Sequence, residues 1–179
     1  MNRSKFTLIP VIAIVAACAF SPQANAASAG PMDPCSLITD GQLAAATGSH
    51  DLKRSRGGLM GLTCNLVPLS QDAPAVPSGY ISVRTEATTK AAAGGRGPVP
   101  TMFELFKAVR ARGIDCDARL RPTLGSAQCA YANGVIYLYK PDYLTLIAFN
   151  IIVDGKPLSN GTVETERFAI ARDVAPKLP

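Results

Sequence analysis

Residues 127–140 read A-Q-C-A-Y-A-N-G-V-I-Y-L-Y-K, and the Asn133-Gly134 pair at their centre sets the fold class. A two-residue type I′ turn needs positive φ at both central positions, which Asn and Gly supply at least cost. Asn-Gly between alternating apolar runs therefore specifies a β-hairpin. That turn pairs Ala132 with Val135, Tyr131 with Ile136 and Ala130 with Tyr137. Side chains alternate along a strand, so Cys129 shares a face with Tyr131, Ile136 and Leu138. Downstream, Lys140-Pro141-Asp142 turns the chain into a long apolar strand, Tyr143 to Val153, which Asp154-Gly155 breaks. A last helix over 162–175 places Phe168, Ile170, Ala171 and Val174 inward and stops before Pro176.

Upstream of the hairpin, two capping boxes announce helices. Thr101 and Glu104 open one whose Met102, Leu105, Phe106 and Val109 recur at i, i+3, i+4 and i+7, a single buried stripe closed by Gly113. Thr39 and Gln42 open a shorter, alanine-rich helix, with Ile38 and Leu43 as a hydrophobic staple and Gly48 as its stop. Between the two helices, residues 50–58 (H-D-L-K-R-S-R-G-G) read as a loop and Thr63 to Leu69 as a strand. Residues 70–79, with Pro74 and Pro77, read as a connection. Tyr80 to Glu86 alternates as a half-buried strand with Ile81, Val83 and Thr85 on one face. Residues 87–100, with Gly94, Gly95, Gly97 and two prolines, are the least ordered stretch. The order is helix, two strands, helix, a meander of about three strands, helix. Strands joined by hairpins predict an α+β fold: a largely antiparallel sheet of about five strands packed with about three helices.

The first 26 of the 179 residues have the layout of an export signal. Arg3 and Lys5 precede an apolar run to Phe20, and small residues at Ala24 and Ala26 define a cleavage site after Ala26. Val15-Ala16-Ala17-Cys18 offers an alternative, a lipoprotein signal over 1–17 that leaves Cys18 lipidated. Residues 27–34 then form a short lead-in, and 35–179 one domain, a size that suits a single core. Beyond Cys18 stand Cys35, Cys64, Cys116 and Cys129. An even number in an exported chain reads as two disulfides. Three connectivities are open, and the sequential one, Cys35 with Cys64 and Cys116 with Cys129, ties neighbouring elements together. With no C-x2-C spacing, no metal site is expected.

Composition narrows the function classes. Without Arg3 and Lys5, 16 basic residues face 13 acidic ones, a net charge of +3, and there is no tryptophan. Clustered cations with stacking aromatics are missing, so no nucleic-acid partner is expected. His50 is the lone histidine and no G-x-S-x-G elbow occurs, which leaves no Ser-His-Asp signature. The carboxylates Glu86, Glu104, Asp115 and Asp117 have no spacing that specifies paired acid–base work, and Glu104 is already used as a cap. Gly94-Gly95-Arg96-Gly97 lacks the Lys-Ser/Thr of a phosphate loop, so no cofactor is expected. Lys107, Arg110, Arg112, Arg119 and Arg121, against Asp115 and Asp117, form a candidate patch for an anionic partner.

Asp33-Pro34-Cys35-Ser36-Leu37-Ile38-Thr39 resembles the D-P-C-S-L-L-T opening of a family of small exported bacterial proteins, often lipoproteins, with no assigned function. Gly48, Cys64 and the Gly125-Ser126-Ala127 segment also resemble the family pattern. Asn65-Leu66 departs from it, where Trp is usual. The resemblance implies a PsbP-like α+β architecture and carries no catalytic residues. The chain is thus expected to be an exported, non-enzymatic binding module that holds an unknown envelope protein or polymer, with the sheet or the 87–121 region as its contact surface. It would meet a membrane only through a lipid anchor. The alternative is an inhibitor or immunity protein against a toxin or wall hydrolase.

Overall fold

The computed structural model describes residues 32–49, 51–58, 62–70 and 75–179. The signal segment with Cys18, and His50, lie outside the described residues. After a 3-10 turn, Pro34–Leu37, the elements are α1 (Asp40–Thr47), β1 (Leu52–Gly57), β2 (Thr63–Pro68), β3 (Ala75–Arg84), α2 (Glu86–Ala92) and α3 (Met102–Arg110). There follow β4 (Ile114–Asp115), α4 (Asp117–Leu120), β5 (Gln128–Ala132), β6 (Val135–Lys140), β7 (Tyr143–Val153), β8 (Lys156–Pro157) and α5 (Glu164–Val174). The fold is α+β and the sheet antiparallel throughout, in the order β1-β2-β3-β7-β6-β5-β4, with β8 on β7.

The hairpin has the register expected from Asn-Gly, with Ala132 opposite Val135, and both turn residues have positive φ (51° and 76°). Asp154-Gly155 makes a second turn of the same kind between β7 and β8. Thr39 with Gln42 and Thr101 with Glu104 form the expected capping boxes, and Gly48 ends α1 in the left-handed region.

Among the described residues the sheet has eight strands rather than about five, and there are five α-helices rather than about three. Residues 52–57 are an edge strand, not a loop: Leu52 is buried and Arg54 donates to the carbonyls of Cys35 and Ile38 and to Asp40. β3 begins at Ala75, inside the expected connection. It outruns β2, whose pairs stop at Leu66 with Gly79, so the missing N–H of Pro77 falls on an unpaired edge. Thr85 leaves the strand to cap α2, and a Thr85–Thr88 box starts a helix where disorder was expected. β4, α4 and β8 are two to four residues long.

The sheet separates two apolar layers. On the covered face, Cys64, Leu66, Ile81, Ile136, Leu138, Ile147 and Phe149 meet Leu37 of the N-terminal turn, Leu43 of α1, Leu120 of α4 and Phe168, Ile170 and Val174 of α5. On the opposite face α3 lays Met102 and Phe106 on Ala130, Leu144 and Leu146. Burying Phe106 stabilises that contact by about 1.5–3 kcal/mol, and its ring stacks on Tyr139 at 5.3 Å.

Candidate functional site

Both cysteine pairs are bonded, and both sit at the covered face. Cys35–Cys64 spans 4.9 Å between Cα atoms and ties the N-terminal turn to β2. Cys116–Cys129 spans 5.0 Å and ties the start of α4 to β5. Crosslinks of this kind belong to an oxidising, extracytoplasmic environment. Asp117 accepts the backbone N–H of Cys129 at 2.5 Å, and Asp115 accepts that of Asp117 at 2.9 Å. The two carboxylates flanking Cys116 therefore hold the bridge in place.

The five cations of the candidate patch do not form one free cluster. Arg110 donates to Asp115, to Asp117 at 3.3 Å and to Gln128 at 3.0 Å. The backbone N–H of Asp117 and then Arg110 hold the Asp115 carboxyl below its ordinary 3.8, and Asp115 in turn raises Arg110. Arg119 pairs with Glu164 and stacks 3.7 Å above the Phe168 ring. Lys107 lies over Phe103, Arg112 folds back onto the carbonyl of Ala108, and Arg121 is exposed. Of the carboxylates, Glu104 caps α3, which lowers its pKa, and Glu86 is exposed at the start of α2. The Gly94–Gly97 segment follows α2 as exposed turns.

The open surface is the second face of the sheet. α3 covers its β5–β7 part and α2 borders its β2–β3 end. Between them Ser55, Asn65, Ser78, Tyr80, Tyr137 and Asn150 share the face by strand register, and none is buried. Burial pushes the Tyr137 phenol up, Tyr80 adds to the rise and Arg84 opposes it. Beside α2 is a cleft of about 350 Å³ lined by Thr63, Ser82, Arg84, Thr88 and Thr89. The Thr89 hydroxyl is buried there with no partner among the described residues.

A second cleft, of about 280 Å³, opens beside the Asn133-Gly134 turn, in the gap along β7 between its last β6 pair at Ala148 and its first β8 pair at Ile152. Phe149 is one residue past the last β6 pair, Ala148 with Val135, and its carbonyl accepts from Arg167 Nε at 2.7 Å. Arg167 Nη1 donates to the Tyr131 hydroxyl at 3.0 Å and to the Asn160 carbonyl at 2.9 Å, and Nη2 to Asn160 Oδ1 at 3.1 Å. This arginine is only 2% exposed, yet it pairs with no carboxylate among the described residues. Sequence reasoning passed over it. The signal was present, because 167, 170, 171 and 174 make one i, i+3, i+4, i+7 stripe and Arg167 is the charge on its apolar side.

Compared with protein-family models, with curated proteins and with solved structures, the chain matches none. What the molecule defines by itself is a disulfide-tied antiparallel α+β fold with one sealed sheet face and one half-covered one.

Proposed function

We propose that the protein is an exported, non-enzymatic binding module of the bacterial envelope, and that the open sheet face is its contact surface for an envelope protein or polymer. The observation that carries this reading is the asymmetry of the sheet. Helices and both disulfides stiffen one face, while on the other serine, asparagine and tyrosine side chains stay partly open, Tyr80 and Tyr137 at the margin of the cluster under α3. Rigid, amphipathic tyrosines with small polar neighbours supply contact area at low entropic cost, the composition of adaptable binding surfaces. The 87–121 region suits the role less well, because Arg110 and Arg119 already serve internal carboxylates. The signal segment, the D-P-C-S-L-I-T opening and the two disulfides support export. Cleavage after Ala26 would leave the module soluble, whereas lipidation of Cys18 would tether it.

The reading is tested by Ser55→Arg/Asn65→Arg, two bulky charges on the open face, beside Lys107→Glu/Arg112→Glu, a charge reversal on α3 and the residues that follow it. Retention of immobilised protein by a detergent-extracted envelope fraction should fall at least about tenfold for the first variant, a loss of about 1.4 kcal/mol, and stay unchanged for the second. The reverse pattern would place the contact on the cationic segment and end the proposal.

A further inference from the structure

The second cleft goes beyond macromolecular docking and stands whether or not the open face also takes a polymer. We propose that Arg167 forms the recognition point of a binding site for a small solute presenting an anionic oxygen, carboxylate or phosphate. Two observations converge on that chemistry. Among the described residues Arg167 is the sole charged one on the cleft wall, which favours an anion inside. Its charge is buried against neutral acceptors only, namely two carbonyls, a hydroxyl and an amide oxygen. A buried ion without a counter-charge is costly, and an incoming anion would offset that cost.

Donor counting identifies the contact atom. A guanidinium has five N–H groups, and Arg167 places four of them, which leaves one hydrogen on Nη2. Asn160 is exposed, and a swing of its side chain would free the second Nη2 hydrogen for a two-point contact. The amides complete the ring of donors. Asn150 lines the cleft, and its Oδ1 accepts the Ile151 N–H at 2.9 Å, which leaves its NH2 as a donor. Across the cleft Asn133 is exposed in the hairpin turn, and Tyr80, Val135 and Ala148 supply an apolar wall for the body of the solute. A volume of about 280 Å³ admits a ligand of single-sugar size.

The test is calorimetric titration of the mature protein with sodium glucuronate, inorganic phosphate and neutral glucose. Saturable binding of glucuronate or phosphate, with none of glucose, is expected, and the tighter of the two anions names the source. Asn150→Asp keeps the acceptor for the Ile151 N–H and places a negative charge in the cleft, so affinity should fall at least about tenfold while the thermal unfolding midpoint holds or rises. Arg167→Lys should abolish binding, and Asn150→Asp keeps the test decisive if that variant misfolds. Binding of neither anion, glucose binding as tightly as glucuronate, or an Asn150→Asp variant with unchanged affinity would each overturn the proposal. A failure here leaves the envelope-retention result untouched, because Ser55 and Asn65 are not on this cleft's wall.

Discussion

On one side of the sheet Ile81, Leu138 and Ile147 are 0% exposed, whereas Tyr80, Tyr137 and Ala148, each one residue away along the same strands, remain partly open. The backbone is shared, so the contrast comes from what lies above each face. α1, α4 and α5 seal the first, and their anchors interlock with both disulfides. Among the described residues α3 covers only part of the second, burying Ala130, Leu144 and Leu146 and leaving Tyr80 and Tyr137 partly open at the margin of its cluster. A sheet needs one buried face to be stable. With that met by the sealed side, the other is free to carry polar and aromatic side chains chosen for contact rather than for packing.

Three substitutions grade the contrast. The largest effect belongs to Phe168→Ala on the sealed side, where the ring packs on Tyr131 and beneath Arg119. The loss should be about 3–5 kcal/mol in chemical denaturation, and a loss below about 1 kcal/mol would show that this face tolerates a void. Next comes Asp115→Asn, at the corner where Arg110 of α3 reaches across to the Cys116 bridge. The native carboxyl titrates below 3.8, so its stabilisation is present above that pH and disappears as pH falls through the lower folded value. Wild type should exceed the variant by under about 1 kcal/mol near neutrality, because the pair is half exposed. The two denaturation curves should converge below about pH 3.8, and a gap that widens on acidification would refute the sign. Smallest of all is Ser55→Arg/Asn65→Arg, whose effect on stability should stay within about 0.5 kcal/mol even as envelope retention collapses. A large destabilisation would mean that the open face is a packing face after all.

Much of this layout was legible from residues alone, and the failures share a cause. The hairpin and the caps of α1 and α3 depend on local chemistry, Asn-Gly and Thr-x-x-Gln/Glu, that specifies backbone geometry without tertiary help. β1 escaped because an edge strand needs one buried contact, here Leu52, and its Lys53, Arg54 and Arg56 mimic a solvated loop. The first residues of β3 were hidden by Pro77, since only the tertiary arrangement reveals that its edge is bare. α2 went unread because its capping box uses Thr88 in place of a carboxylate or amide side chain. The sequential cysteine pairing followed from the idea of tying neighbours, whereas the internal commitment of Arg110 and Arg119 depends on carboxylates whose placement in space no spacing rule supplies. Arg167 was hidden by habit of reading, as the stripe it shares with Ile170, Ala171 and Val174 was visible from the start.

Hydroxyl-radical labelling of tyrosines, in the protein alone and with the detergent-extracted envelope fraction, puts the asymmetric sheet to its most direct trial. Tyr80 and Tyr137 should label in the free protein and become protected in the mixture, while the buried Tyr143 stays silent in both. Labelling of Tyr143 to the same extent as Tyr80, or protection that falls on Phe103 of α3 while Tyr80 stays reactive, would contradict the account.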